Sequence, residues 1–304
     1  SGLHDLVTEL TNDRTRDILT PYLADVTQRP ALSQLFAQYQ PQVVFHSAAY
    51  KHVPMLQHYP AESVRVNIGG TQQVAGLARD YGVERFVLIS TDKAVHPTSV
   101  MGASKRLCEL LMHAMAQQPG NRTLFTSVRF GNVLGSRGSV VPTFERQIDL
   151  GGPVTVTDRA MRRYFMTIPE AVNLVIHAAC MTKGDDLFML QMGEEVRIVE
   201  LAERMIRLRG LRPHVDIPIV FTGVRPGEKL HEELYAEFET MKPTVHPSIV
   251  ELTSLRNGLQ PTSFNDRLNA LFTRGFAEGE DPLTVLIGLI DLGEREMELG
   301  EVQK

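Results

Sequence analysis

The segment FVLISTDKAVHPTSVMGASK, residues 86–105, decides the fold of this 304-residue chain. It opens with four apolar residues, a pattern typical of a strand buried on both faces of a parallel sheet. The polar residues Ser-Thr-Asp-Lys at 90–93 follow, and a helix is predicted to begin near Val100. Side chains at the carboxyl end of such a strand lie where open α/β sheets bind their ligands. The segment therefore predicts a polar site between a strand and a helix, with Met101 and Lys105 on one face of that helix.

Strands and helices alternate along the chain on both sides of this segment. Strands are predicted at 18–24, 43–47, 123–130, 154–158, 187–190 and 217–221, and helices at 2–11, 30–39, 60–81, 101–117, 141–150, 169–181 and 198–208. Alternation at this spacing is typical of βαβ units. We therefore expect an α/β fold with a doubly wound parallel sheet of the Rossmann type.

The character of the sequence changes after the strand predicted at 123–130, where glycine and serine accumulate and the elements become shorter. We expect three parts: a partial Rossmann domain at 1–135, a smaller α+β region at 136–260 and a helical tail at 261–304. The middle region is expected to close over the carboxyl edge of the sheet. The tail carries two amphipathic helical patterns, which are interpreted as packing elements, with a partner-binding role as the alternative.

The first strand of a dinucleotide-binding sheet is followed by a glycine-rich turn, because only glycine lets the backbone approach a pyrophosphate at a helix N-terminus. Neither GxGxxG nor GxxGxxG occurs near the N-terminus of this chain. We therefore expect that the first strand, first helix and second strand of the fold lie upstream of Ser1. The sheet would then have unpaired edges, so the isolated chain is expected to be unstable or to aggregate.

The composition narrows the classes of partner. The net charge of −5 argues against nucleic acid or an anionic membrane as the main partner. No apolar run reaches the length of a transmembrane helix and no signal peptide is visible, so a membrane attachment is expected only through a segment upstream of Ser1. Cys108 and Cys180 lie in apolar helical patterns and are predicted to be reduced core residues. This cysteine usage favours a cytoplasmic location.

Four motifs occur in order along the chain: SAAYKHVP at 47–54, STDKAVHPTSVMGASK at 90–105, RFGNVLGSRGSVVP at 129–142 and RPGEKLHEEL at 225–234. Together they resemble the UDP-N-acetylglucosamine 4,6-dehydratases of bacterial polysaccharide biosynthesis. That family belongs to the extended short-chain dehydrogenase/reductase superfamily. The resemblance implies that 136–260 is mainly a substrate-binding region and that the enzyme is a homo-oligomer.

The resemblance also implies a reaction. A tightly held NAD is used catalytically: hydride leaves C4 of the sugar, water is eliminated across C5 and C6, and hydride returns to C6. The product is then a UDP-4-keto-6-deoxy-N-acetylhexosamine. Oxidation at C4 makes the C5 proton acidic, so that a nearby amine or carboxylate can remove it, and departure of the C6 hydroxyl needs a proton donor.

Five catalytic positions follow from the resemblance. Lys93 is the candidate base for the C5 proton, Asp92 the candidate acid, and Thr91 the partner of the 4-hydroxyl. Asp92 must be protonated and Lys93 neutral when they act, which requires pKa values tuned by burial and mutual contact. Met101 stands where the superfamily usually has Tyr, and a thioether cannot take a proton. Met at this place marks a subset of the family, so the base of the first step stays open between Lys93, Asp92 and a water held by Lys105.

The resemblance assigns binding residues as well. The cofactor contacts are predicted to be Asp25, Val26, Ala48, Ala49, Lys51, Asn67 and Lys105. The contacts to the UDP-sugar are predicted to be Asn132, Arg137, Arg225 and Glu228. Arg225 suits a pyrophosphate and Glu228 a ribose hydroxyl. No metal site is expected, because His231 has no second histidine at helical spacing.

Two other functions remain open at this point. A UDP-sugar 4-epimerase would share the cofactor and the UDP, but it needs no Asp-Lys pair and normally keeps the Tyr. A non-catalytic scaffold or pseudoenzyme is favoured by the absent glycine-rich turn and by Met101.

Overall fold

A computed structural model describes residues 2–12, 14–136, 138–253 and 262–298. Its α-helices are α1 (Gly2–Leu10), α2 (Arg29–Tyr39), α3 (Val53–His58), α4 (Pro60–Glu62), α5 (Gly70–Asp80), α6 (Val100–Ala116), α7 (Val140–Asp149), α8 (Ile168–Met181), α9 (Ile198–Leu208), α10 (Thr262–Arg274) and α11 (Pro282–Glu298). A π-helical segment, Ser63–Gly69, joins α4 to α5, and Asp92–Ala94 form a 3₁₀ turn.

The strands are β1 (Val43–His46), β2 (Arg85–Ile89), β3 (Leu124–Arg129), β4 (Asn132–Val133), β5 (Val154–Val156), β6 (Arg162–Arg163), β7 (Phe165–Met166), β8 (Asp186–Leu190), β9 (Val196–Arg197), β10 (Ile219–Phe221), β11 (Thr240–Pro243) and β12 (Ile249–Thr253). The predicted helices are confirmed with ends within two residues of these bounds, and so are the predicted strands from 43–47 onward. The sequence analysis missed α3 and the strands β4, β6, β7, β9, β11 and β12.

The central sheet has the order β1-β2-β3-β8-β12-β11. The first four strands are parallel, and β12 and β11 are antiparallel to their neighbours. Phe86 and Leu88 of β2 pack into the cluster formed with α5 and α6, whereas Val87 packs into the cluster around α8. Helices thus cover both faces of the sheet, which explains the continuous apolar run in β2 and confirms the Rossmann-like α/β fold.

The strand predicted at 18–24 is wrong. These residues lie in turns and irregular backbone, and Ile18 and Leu23 are 80% and 87% exposed. In the described part of the chain, β1 pairs only with β2. A strand exists only when a neighbour accepts its ladder of hydrogen bonds, and no described strand lies beside 18–24.

Shorter elements follow the main sheet, as the sequence analysis expected. α7, α9, β5 and β10 share a separate apolar cluster that includes Phe144, Val156 and Ile206. Two further pairs of short strands, β4–β7 and β6–β9, come from the segments that link the main sheet to this cluster along the chain. The proposed domain boundaries stay a prediction.

The two C-terminal helices pack on α6. Leu268 of α10 and Leu286 of α11 are buried in the same cluster as Leu107 of α6. Arg106 of α6 also pairs with Glu294 of α11 at 2.6 Å. These contacts support the interpretation of the tail as a packing element.

The two cysteines differ. Cys108 is buried, as predicted, but Cys180 is exposed, so the prediction of a core position there is wrong. α8 buries Leu174 and Ala178 on its inner face, and Cys180 lies on the other side with Ile176. The apolar pattern did not reveal which face would be covered. Among the described helices, none has the length and apolar character that would let it span a membrane.

Candidate functional site

The STDK turn, residues 90–93, follows β2 and is held against the first turn of α6. Asp92–Ala94 form the 3₁₀ turn, and Ser99 caps α6 by accepting a hydrogen bond from the Gly102 amide at 3.1 Å. A Cβ atom at Gly102 would collide with the carbonyl oxygen of Lys93. The glycine therefore allows the backbone of Lys93 to lie directly against the helix.

The Lys93 ammonium is the centre of the polar contacts at this turn. It donates hydrogen bonds to Asp92 Oδ1 at 2.9 Å and to Asn132 Oδ1 at 3.2 Å. The Thr91 hydroxyl also donates to Asp92 Oδ1, at 2.9 Å. Glu232 Oε1 lies 3.6 Å from the Lys93 nitrogen. The structure thus brings four predicted residues together and adds Glu232, which the sequence analysis did not assign to the site.

A cavity of about 390 Å³ lies beside the turn. Residues from three of the four motifs line it, among them Ala49, Lys51, Thr91, Lys93, Met101, Lys105 and Asn132. Asp92 is fully buried behind Lys93, whose side chain is 22% exposed. Asp92 Oδ2 has no hydrogen-bond partner among the described residues. A solute in the cavity therefore meets Thr91 and Lys93, and both contact Asp92.

Burial and charge compete at the two lysines of the cavity. Burial alone would lower the pKa of Lys93, but the carboxylates of Asp92 and Glu232 outweigh it and hold that pKa above its ordinary value. Lys105 is only 8% exposed, and burial lowers its pKa. Lys93 is therefore charged in this state, so action as a base requires that it first lose a proton.

Asn67 fixes the wall of the cavity opposite the STDK turn. Its side chain accepts a hydrogen bond from the Tyr50 amide at 2.8 Å and donates to the Tyr50 carbonyl at 3.0 Å. It also donates to the Ser104 hydroxyl at 3.0 Å. These bonds tie the segment that carries Lys51 to α6, so Asn67 positions the wall rather than lining the cavity itself.

Residues around the cavity fit one half of a dinucleotide. The Lys105 ammonium is buried, lines the cavity and donates no hydrogen bond to any described residue. The Thr91 hydroxyl and the Lys51 ammonium lie around the same cavity. Ribose hydroxyls and a carboxamide are acceptors of the kind that such donors need. The set fits a nicotinamide ribose, whereas a glycine-rich pyrophosphate cradle is absent from this sequence.

Asp25 and Val26, which were predicted to contact the cofactor, do not line this cavity. Asp25 is exposed and accepts hydrogen bonds from the amide and the hydroxyl of Thr27 at 2.8 and 2.9 Å. Val26 packs against Gly70, where a Cβ atom would lie 2.8 Å from Val26 Cγ2. The structure does not bring Asp25 or Val26 to the residues that line the cavity, and their role stays a prediction.

Two further predicted positions give less information. Ala48 is exposed, next to Ala49, which lines the cavity. Arg137 lies outside the described residues, so its predicted contact with the UDP-sugar stays a prediction.

The RPGE segment, residues 225–234, packs against the residues that follow the STDK turn. The Thr98 hydroxyl donates to the Gly227 carbonyl at 3.2 Å. Arg225 is 55% exposed and lies 3.9 Å from Glu228, whose Oε2 is buried without a hydrogen-bond partner in the described structure. Arg225 and Glu228 do not line the cavity. They lie near each other, and the contact of Gly227 with Thr98 links their segment to the residues after the STDK turn.

Comparison with protein families gives a match over most of the chain. A family model described as "Polysaccharide biosynthesis protein" matches residues 3–254. The probable polysaccharide biosynthesis protein EpsC of Bacillus subtilis is 50% identical over 250 residues, which are 82% of this chain and 41% of EpsC. The chain therefore spans about two fifths of the length of this curated relative.

Solved structures show the same fold. Pen from Bacillus thuringiensis superposes with a TM-score of 0.75 at 34% identity, covering 83% of this chain and 76% of Pen. The UDP-glucose 4-epimerase of Thermus thermophilus, solved as a complex with NAD, superposes with a TM-score of 0.65 at 20% identity, covering 77% of this chain and 85% of the epimerase. At that identity the second likeness shows the fold alone.

Proposed function

Because this chain belongs to the polysaccharide biosynthesis protein family, whose members are Rossmann-fold enzymes that modify nucleotide sugars, we propose that it carries the catalytic site of an NAD-dependent UDP-N-acetylglucosamine 4,6-dehydratase. The observation that supports this proposal most directly is the Asp92–Lys93 pair at the end of β2. An acid and a base in contact are what elimination across C5 and C6 requires, and hydride transfer alone does not need them.

The proposal gives each side chain a task. NAD would supply the hydride acceptor at C4, and Lys105 would hold its nicotinamide ribose. The Thr91 hydroxyl lines the cavity and would orient the 4-hydroxyl of the sugar. Lys93 would take the C5 proton, and the proton that leaves with the C6 hydroxyl would come from Asp92. Since Asp92 lies behind the cavity wall, its proton would reach the C6 oxygen through the Thr91 hydroxyl, which lines the cavity and contacts Asp92 Oδ1.

Met101 lines the same cavity and cannot act as a base. Lys105 lines the cavity too, and burial lowers its pKa. The proposal therefore places the first proton transfer at Lys105 or a water that it holds. A UDP-sugar as ligand, self-association and a cytoplasmic location belong to the same proposal.

The test is a reaction in D₂O of the full-length protein with NAD and UDP-N-acetylglucosamine, followed by mass spectrometry and NMR. A 4,6-dehydratase gives a product lighter by one water, with deuterium at C5. A 4-epimerase gives UDP-N-acetylgalactosamine of unchanged mass without deuterium at C5. Absence of any product, together with no effect of Asp92→Asn or Lys93→Ala on NAD reduction, would favour the pseudoenzyme and refute the proposal.

A further inference from the structure

The RPGE segment contacts the residues that follow the STDK turn at three places. The Lys229 ammonium donates to the Val95 carbonyl at 3.0 Å. His96 Nδ1 and Glu233 Oε2 lie 2.7 Å apart. With the contact at Gly227, these bonds align the two segments side by side. Glu232, which precedes Glu233 in the RPGE segment, thereby lies behind the STDK turn.

Glu232 is buried in a position where its charge has two partners. It is 5% exposed, and its Oε1 lies 3.6 Å from Lys93 Nζ and 3.5 Å from Arg163 Nη2. The Arg163 guanidinium is itself fixed, because it donates to the carbonyls of Lys229 and Leu230 at 2.9 and 3.3 Å. Glu232 Oε2 is buried and has no hydrogen-bond partner in the described structure. A carboxylate in such a place acts on its neighbours mainly through its charge.

The effect of Glu232 on the Lys93 ammonium is judged against the other charged and titratable groups near Lys93. Asp92 contacts the Lys93 ammonium directly, and Arg163 opposes it with a like charge. Tyr164 lies near enough to Asp92 to feel its charge. Four more titratable groups line the cavity with Lys93, namely Tyr50, Lys51, His52 and Lys105. Among these groups, only Asp92 and Glu232 carry a negative charge that favours the ammonium form of Lys93.

We propose that Glu232 is a positioning residue of the dehydratase, which acts through Lys93 by holding its ammonium at the cavity wall and setting the pH at which that group loses its proton. This inference rests on the proposed function. Nothing in the residue pattern around His231 assigned Glu232 to the site, and Glu232 does not line the cavity.

The proton balance of the elimination shows where Glu232 acts. The C–H bond at C5 breaks, its proton passes to the Lys93 amine, and its electron pair forms the C5–C6 double bond. The C6–O bond breaks at the same time, and the oxygen leaves as water with a proton from Asp92. Lys93 has then gained the proton that Asp92 lost, and transfer across their 2.9 Å hydrogen bond restores both groups. Glu232 exchanges no proton in these steps. Its charge favours the form in which Lys93 holds the proton, and so opposes the form that starts the elimination.

The test measures the proton affinity of Lys93 without relying on turnover. The NAD-loaded full-length protein is trace-labelled with acetic anhydride at a series of pH values, and acetylation of Lys93 is quantified by peptide mass spectrometry. Glu232→Gln is expected to lower the midpoint of Lys93 labelling by about 1 pH unit, since an opposite charge at this distance shifts a pKa by about 1–3 units. Glu237→Gln is the matched control, because Glu237 is exposed and makes no hydrogen bond or ion pair with any described residue. It is expected to leave the midpoint unchanged.

Equal midpoints in wild type and Glu232→Gln would overturn the inference. If Glu232→Gln does not fold, Glu232→Asp carries the test, because the shorter side chain draws the charge away from Lys93 Nζ and should also lower the midpoint, and a midpoint that stays or rises would be contrary to the inference. With turnover, the acid limb of the kcat profile should move to lower pH in Glu232→Gln. A merely structural role would lower kcat at every pH without moving that limb. If wild type forms no dehydrated product, the proposed function fails, while labelling still decides the role of Glu232.

Discussion

Lys105 of α6 and Asp25, at the end of the segment 17–25, were both predicted to contact the cofactor, and the two regions differ in almost every physical respect. Each residue from Val100 to Met115 of α6 is buried, and Lys105 lines the cavity. The segment at 17–25 contains no described helix or strand, and Leu23 is 87% exposed. The difference teaches that a motif forms a site of defined geometry where other elements pack over both of its sides. A motif that is not covered has the same chemical groups, but no packing fixes their positions.

The ion pairs of the two regions show the same contrast between buried and exposed contacts. Behind the STDK turn, the Ser90 hydroxyl donates to Glu109 at 2.6 Å, and Arg129 pairs with Glu109 and Glu239, each at 2.8 Å. These side chains are buried. Near the N-terminal segment, Asp25 lies 3.7 Å from Arg65, and both are about half exposed. Buried networks hold a turn in place because breaking them leaves an unpaired charge away from water, whereas exposed pairs contribute little.

The largest expected effect is on catalysis. Lys93→Ala should lower kcat for dehydration by about 10²–10⁴-fold, because it removes a general base. Asp25→Asn should change NAD affinity by no more than about fivefold, since an exposed ion pair contributes about 0–1 kcal/mol. Steady-state kinetics and NAD titration measure both. A large loss of NAD affinity in Asp25→Asn would show that Asp25 reaches the adenine and would break the contrast.

The next effect is on stability through charge. Arg129→Leu leaves Glu109 and Glu239 buried without their main partner, so it should lower the free energy of unfolding by about 3–5 kcal/mol. Arg65→Leu, at the exposed pair, should lower it by about 0–1 kcal/mol. Urea unfolding followed by circular dichroism compares the two. Similar losses in both variants would show that the buried network gives no special support.

A smaller effect is expected from packing. Leu107→Ala should cost about 2–5 kcal/mol, because Leu107 is fully buried in the main cluster and the deletion leaves a cavity. Leu23→Ala should stay within about 0.5 kcal/mol, since Leu23 has little to lose. The same unfolding assay checks this pair. A cost above about 2 kcal/mol at Leu23 would mean that another part of the protein covers the N-terminal segment.

The smallest effect is expected on the pH dependence of the free energy of unfolding in acid. Burial raises the pKa of Glu109, but Arg129 and Arg106 outweigh it and lower that pKa from 4.5 to about 2. A carboxyl group with a lowered pKa in the folded state contributes stability at pH values above its ordinary pKa. That contribution is lost as the pH falls from about 4.5 toward about 2. Over this window, Glu109→Gln should show a weaker pH dependence than wild type, by up to about 1.4 kcal/mol per pH unit. Equal slopes in urea unfolding would contradict the expectation.

The sequence was informative where structure is local. The apolar run at 86–89 and the pattern at 101–117 were enough to predict β2 and α6, and the spacing of Met101 and Lys105 placed them on one helical face. Periodicity also predicted the C-terminal helices. It could not decide which face of α8 is covered, because that depends on the neighbouring strands, and Cys180 was assigned to the wrong side for this reason.

The sequence by itself determined the order of strands and helices and the set of chemical groups at the STDK turn, because these depend on the nearest residues in the chain. Only the tertiary structure decided that 18–24 forms no strand, that Asp92 lies behind Lys93, and that Glu232 approaches Lys93 from the RPGE segment. Each of these depends on contacts between residues far apart in sequence. A strand needs a neighbour for its hydrogen bonds, and the charge state of a buried amine depends on the carboxylates that the fold places around it.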